Sequence, residues 1–342
     1  MFAIESKKIK SILRLVICIL IFVACNESSS AQEKQKEKKE SPLTPYNEAV
    51  KANPYNAEVL VKRAQKHFEL KAFEKGLEDV NRALAIDSVN TAALELGAQL
   101  HFQLEEFQSS INKIEKVLTL NGPNEKMYLT KAKIYLYVGK HQEAVNDINA
   151  ALKINQFNAE GYFLKGFCYK EALDTNRAMS AFQTAVEQNP DMLKAYMQMG
   201  LLQAAKKNKI AAQYYKQAIR IDRYSKEAHY AWGMLMQDLN DYTEAKKIYR
   251  GLLEFDNQNE QAYYNMGYIF LMEDSINKAY KFFNAACRVA PQYTDAYYNR
   301  GYASELMRKY SNALKDYQQT LTLNPEHELA LAAEKRVKEI LE

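Results

Sequence analysis

Apolar and polar positions along this chain follow a helical rhythm that restarts about every 34 residues. Small residues recur in one column: Ala64, Gly97, Ala132, Gly166, Gly200, Gly233, Gly267 and Gly301. A second small column follows about a dozen residues later: Gly76, Ser110, Ala144, Ala178, Ala211, Ala245, Ala279 and Ala313. One helical turn further on the residues are bulky: Val80, Ile114, Ile148, Phe182, Tyr215, Tyr249, Phe283 and Tyr317. Two helices reach the short end of the usual 8–10 Å separation only where side chains are small, so the paired small columns predict where each helix crosses a partner. The bulky column is expected to fill the wedge left as the helices diverge. Pro190, Pro291 and Pro325 then stop the second helices. The unit is a helical hairpin, and the predicted class is all-α.

These columns resemble the tetratricopeptide repeat (TPR) family, whose unit is about 34 residues of helix, turn, helix. The likeness is fullest over Glu260 to Val289 with Pro291 and over Thr294 to Asn324 with Pro325, where Tyr-Tyr-Asn-x-Gly-Tyr recurs. It implies a right-handed superhelical solenoid of about eight TPR helical hairpins over residues 57–327, with terminal capping helices. Two slips break the period: one residue missing between Gly200 and Ala211, and one extra between Gly97 and Ser110. Residues 44–56 are expected to form a lone second helix covering the first hairpin. Residues 328–342 are expected to close the far end with an apolar face containing Leu329, Leu331, Ala332, Val337, Ile340 and Leu341.

Residues 1–24 stand apart from this fold. Lys7, Lys8, Lys10 and Arg14 precede an apolar run from Leu15 to Val23, the layout of a secretory signal. The run ends in Phe22-Val23-Ala24-Cys25, which resembles the lipobox of bacterial lipoproteins and implies lipidation of Cys25. At about 0.8 kcal/mol per buried methylene, several acyl chains hold a protein on a membrane almost permanently. Asn26 after the cysteine implies, by the same resemblance, an outer-membrane lipoprotein that faces the periplasm or the cell surface. Residues 25–43 are polar and charged, the composition of a disordered tether.

Charge and chemistry narrow the function by exclusion. The formal charge is +4, of which Lys7, Lys8, Lys10 and Arg14 against Glu5 hold +3. A remainder near +1 implies no nucleic-acid partner. His67, His101, His141, His229 and His327 lack ligand spacing, and Gly161 to Gly166 has phosphate-loop spacing but Phe167 in place of its lysine. No catalytic residue, metal site or cofactor is expected. Cys168 and Cys287 lie too many repeats apart to pair and are expected to be buried thiols.

What is left over is a second apolar stripe on the first helices. Tyr264 and Tyr268 lie about 100° round from the inward face of Tyr263, Gly267 and Phe270. The same stripe appears as Phe163 and Phe167, Met197 and Leu201, Tyr230 and Met234, and Tyr298 and Tyr302. In the family it resembles, this stripe lines the concave partner-binding groove. Tyrosine and methionine suit recognition, since they give large area, adaptable packing and a polar tip. Asn265 and Asn299 are candidates to bond a ligand backbone. The stripe is poorer in the early repeats, at Gln65, Ala98 and Lys133, so binding is expected over residues 160–305. The alternative is that the wide apolar arc is consumed between adjacent first helices. The expected function is a non-catalytic, lipid-anchored scaffold of the bacterial envelope that binds partner proteins as peptide or helical segments. Glycan or peptidoglycan binding and homo-oligomer formation are the other readings the residues allow.

Overall fold

The computed structural model describes residues 41–342. The expected signal, Cys25 and most of the expected tether lie outside the described residues. Eighteen helices and no strand occur among the described residues. They fall into two compact units, one ending at Gly122 and one beginning at Pro123.

The first unit holds α1 (Thr44–Ala52) and two hairpins, α2 (Ala57–Glu69) with α3 (Phe73–Ile86) and α4 (Thr91–Gln103) with α5 (Phe107–Asn121). The second holds six: α6 (Glu125–Tyr137) with α7 (His141–Ile154), α8 (Ala159–Glu171) with α9 (Thr175–Gln188), and α10 (Leu193–Ala204) with α11 (Ala211–Ile221). The remaining three are α12 (Lys226–Asp238) with α13 (Tyr242–Phe255), α14 (Glu260–Met272) with α15 (Ile276–Val289), and α16 (Thr294–Leu306) with α17 (Tyr310–Leu323). The unit ends in α18 (Glu328–Leu341).

The small and bulky columns meet, though not only by filling a wedge. In five hairpins the bulky ring lies close against the first-column glycine. A methyl group added at Gly166, Gly200 or Gly233 would come within 2.5 Å of the rings of Phe182, Tyr215 and Tyr249 respectively. The three earliest hairpins pair alanine with a β-branched aliphatic instead: Ala64 with Val80, Ala98 with Ile114, Ala132 with Ile148, all fully buried. Volume is conserved across each pair, as dense packing requires. The second column marks the backbone approach, since buried Ser110 Oγ donates to the Ala98 carbonyl at 2.7 Å.

That bond corrects the expected register. Ala98, not Gly97, holds the first-column place, and no residue is inserted before Ser110. Gly97 lies between the preceding hairpin and the Lys113 stem, where an added methyl would fall 3.0 Å from Val80 Cγ1 and 2.8 Å from Lys113 Cδ. Two adjacent small residues hid the choice. The deletion after Gly200 is real and falls beyond Lys207, so that α11 has 11 residues.

Every turn inside a hairpin ends its first helix with a residue in the left-handed region: Lys71, Glu105, Gly139, Leu173, Lys207, Asn240, Asp274 and Arg308. The next N–H reaches back five residues, as from Asp174 to the Tyr169 carbonyl at 2.9 Å, which closes a Schellman motif. Only one of the eight is glycine. Leu173 sits at φ 58° with 87% of its surface exposed, so its side chain gains nothing for the strain. A left-handed residue with a Cβ costs roughly 1–2 kcal/mol, partly offset by the lower unfolded-chain entropy that the side chain brings. Leu173→Gly is expected to raise stability by about 0.5–1 kcal/mol, measured as a higher urea midpoint at unchanged slope.

A buried ion pair recurs in the first and last hairpins. Arg300 Nε and Nη2 donate to the two Asp316 oxygens at 2.9 and 2.5 Å, while Nη1 donates to Asn284 Oδ1 at 2.7 Å. Arg63 repeats this with Asp79 at 2.7 and 2.6 Å and with Asn47 of α1 at 3.2 Å. Burial opposes the Arg300 charge, and the Asp316 bonds outweigh it, holding the guanidinium above its ordinary pKa.

The C-terminal helix seats differently from expectation. Ala330, Ala333 and Val337 face inward, whereas Leu329, Leu331, Ala332, Ile340 and Leu341 are exposed. Small side chains let α18 lie close against α17, and a bidentate bond from Arg336 to Glu305, at 2.8 and 2.9 Å, fixes it to α16. Arg336 and burial act in opposite directions on Glu305, and the Arg336 bond prevails, so that carboxyl sits below its usual range.

Candidate binding face

The twelve expected site residues fall on α8, α10, α12, α14 and α16, and the structure separates them into ranks. The first rank is Phe163, Met197, Tyr230, Tyr264 and Tyr298, all half-buried. Four of these rings rest on the bulky residue of their own hairpin: Phe163 on Phe182 at 5.7 Å, Tyr230 on Tyr249 at 6.2 Å, Tyr264 on Phe283 at 5.7 Å, and Tyr298 on Tyr317 at 5.8 Å. Burial pushes the Tyr264 phenol up to about 12. Part of the aromatic area is therefore consumed by self-packing.

The second rank, Phe167, Leu201, Met234, Tyr268 and Tyr302, is open at Leu201 and Tyr268 and half-buried at the other three. Leu201 is 47% exposed and Tyr268 37%, while Phe167 is capped by Lys170 Nζ at 4.4 Å from its ring centroid. A third rank was missed in the sequence: Met272, 55% exposed, and Leu306, 46% exposed, lie one turn beyond Tyr268 and Tyr302. Their spacing was visible, but a residue at a helix end is hard to tell from the turn that follows. The corrected register also moves the early stripe from Ala98 to Gln99.

The amide donors of Asn265 and Asn299 are already engaged within the fold. Buried Asn265 directs its amide N–H at the Tyr230 and Tyr249 hydroxyls, at 3.3 and 3.1 Å, with Met234 Sδ at 3.2 Å. Asn299 donates to the Tyr264 hydroxyl at 2.9 Å and to its own helix at the Asp295 carbonyl at 3.0 Å. Each asparagine thus ties the first-rank tyrosine of the preceding hairpin. A buried amide is stable only with such partners, and the donors are spent inside the array.

Among the described residues no group of His, Cys, Asp or Glu is arranged to hold a metal ion. Cys168 and Cys287 are buried free thiols, each pushed up to about 11 by burial. No described helix is long and apolar enough to cross a membrane.

Comparison with known proteins agrees with this geometry. Tetratricopeptide repeat profiles match residues 294–327, 125–158 and 260–293, and 160–191 and 227–255. The chain is a tetratricopeptide repeat protein with the all-α superhelical repeat fold, the architecture of a protein-interaction scaffold and typically not of an enzyme. The C-terminal part of a TPR repeat-containing protein from Cytophaga hutchinsonii superposes with a TM-score of 0.61 at 19% identity, covering 69% of this chain and 97% of that one. YrrB, described as a TPR protein with an unusual peptide-binding site, gives 0.42 at 21% identity over 54% of this chain and 95% of its own. The hetero-tetramer Cut9–Hcn1 gives 0.47 at 14% identity over 85% and 58%. No curated protein matches the chain.

Proposed function

We propose that this chain is a non-catalytic scaffold that binds partner proteins on the open ranks of its aromatic stripe, and that lipid on Cys25 holds it in the envelope of a bacterium as an outer-membrane lipoprotein. The observation that carries the binding claim is the exposed apolar run of Leu201, Tyr268, Met272 and Leu306, left over after the first rank has packed on its own hairpins. Such side chains on α10, α14 and α16 suit a peptide or helical segment. The anchor rests on the lipobox-like Phe22-Val23-Ala24-Cys25 and the polar tether behind it.

The test uses the open ranks only, since Tyr264 and Tyr298 also hold the fold. Leu201→Ala with Tyr268→Ala and Tyr302→Ala is expected to reduce crosslinked partner yield in intact cells at least tenfold, because apolar anchors of this size contribute about 2 kcal/mol each at an interface. Thermal unfolding should stay cooperative. Unchanged crosslinking ends the proposal, and retention of the protein on purified, protein-free sacculi would reassign the face to glycan. Cys25→Ala tests the anchor separately, through loss of palmitate labelling and release from the membrane fraction.

A further inference from the structure

The turn from α15 to α16 lacks three polar groups that recur at other inter-hairpin turns. The residue ending a second helix is polar in most hairpins, and Asp87, Asn155, Asn189, Asp222 and Asn324 each accept the backbone N–H two residues on. Here it is Ala290. The residue before a first helix is Asn56, Asn90, Asn124, Asn158 or Asn259 in five hairpins, each accepting a helical N–H. Here it is Tyr293, without a side-chain cap.

The third group belongs to three hairpins, in which the first residue of the first helix is tied to the end of its own hairpin. Thr91 donates to Asn121 at 3.1 Å, Glu125 accepts from Asn155 at 3.1 Å, and Lys226 pairs with Asp256 at 3.1 Å. The counterpart of Glu260 is Ala290, which offers nothing polar. Among the described residues, half-buried Glu260 has no ion-pair partner and no side-chain hydrogen bond. In place of the missing groups lies an open cavity of about 380 Å³ lined by Glu260, Gln261, Ala290, Pro291, Gln292 and Tyr293.

We infer that this cavity receives a basic side chain, lysine or arginine, of the partner segment that lies on the aromatic face; the inference rests on the scaffold reading and names what the partner must carry. Ligand pockets run from roughly 300 to 1,000 Å³, so this one suits a single long side chain rather than a nucleotide. Ala290, Pro291 and the Tyr293 ring accept the aliphatic stem, as long cationic side chains require. The Glu260 carboxylate meets the charge, and the Gln261 and Gln292 amides supply further acceptors. Complementarity fixes the sign. One hairpin earlier Lys226 stands in the place of Glu260 and pairs with Asp256 in the place of Ala290, whereas here the first place carries a carboxylate and the second no charge, so a cation for Glu260 has to arrive from outside. An acidic or neutral guest would leave Glu260 uncompensated on a half-buried wall. The cavity also borders the stripe, because the Tyr293 ring lies 5.1 Å from that of Tyr264.

The test titrates n-butylammonium and n-butylguanidinium into the chain carrying 13C-labelled tyrosine rings, with butan-1-ol as the neutral isostere. Both cations are expected to shift the Tyr293 resonances saturably, and butan-1-ol at equal concentration is not. Glu260→Gln should weaken the cations roughly five- to tenfold with an unchanged melting curve, and Tyr293→Leu should weaken them about two- to fivefold. Absence of a shift with the cations, an equal shift with butan-1-ol, or undiminished binding by Glu260→Gln overturns the inference. No partner is present in the titration, so its failure is distinguishable from failure of the crosslinking experiment.

Discussion

Arg300→Met is expected to destabilise the second unit by about 3–5 kcal/mol, because it strands the Asp316 carboxylate in a place where little water reaches it. Asp316 is buried and depends on two guanidinium bonds, at 2.9 and 2.5 Å, for nearly all its compensation. Urea unfolding of the isolated full chain reads the loss. The informative control is Arg300→Met with Asp316→Leu, which removes both charges and should return to within about 1 kcal/mol of the parent, since a buried pair and an apolar pair of similar volume differ little. If the double variant stays as unstable as the single one, the cost lies in lost packing around the arginine stem and not in the orphaned carboxylate.

The second large effect is expected from Gly233→Ala. Alanine favours a helix over glycine by about 1 kcal/mol, so propensity alone argues for a gain. Packing argues the other way and wins. The new methyl would fall 2.5 Å from the Tyr249 ring. That ring cannot retreat, being fully buried with its hydroxyl bonded to Asn265 at 3.1 Å and to Gln237 at 3.3 Å. Overpacking of this kind costs roughly 1–3 kcal/mol, leaving a net loss of about 1–2 kcal/mol. Tyr249→Leu in the same chain makes room for the methyl, and the two changes should be coupled by about 1 kcal/mol in a double-mutant cycle. Strict additivity would mean that the glycine and the ring do not oppose each other.

Much of the architecture was legible because it is written in residue volume. A glycine under an aromatic and an alanine under an aliphatic are two spellings of one steric constraint, and a repeat displays that constraint eight times. Legibility failed where volume stopped deciding. Gly97 and Ala98 are both small, and the Ser110 hydroxyl bonded to the Ala98 carbonyl marks which of them holds the first-column place. The left-handed turn residues carry no glycine signature at seven of eight places, since the Schellman bonds select the conformation whatever the side chain. Leu329, Leu331, Ile340 and Leu341 suggested an apolar seat for α18, yet three small residues take it because the helix lies close.

The candidate face was half legible for a related reason. Periodicity identifies which helix face a residue occupies, but it does not say how far the hairpin's own side chains have already covered that face. Tyr264 and Tyr268 are indistinguishable in the pattern. In space one is stacked on Phe283 and bonded by Asn299, and the other is open. The asparagines were visible as polar residues on an apolar stripe, and their role as cross-hairpin ties depends on a reach of 35 residues that no local pattern encodes. The cavity beside Glu260 is legible only in retrospect, as three departures from columns recognised once the turns had been aligned.

Cys168 and Cys287 belong to different hairpins, α8 with α9 and α14 with α15, and burial pushes both thiols up to about 11. Alkylation needs a thiolate that a reagent can touch. The folded chain therefore contains two silent native reporters, and the moment each becomes labelled times the local opening of its own hairpin without any engineered probe.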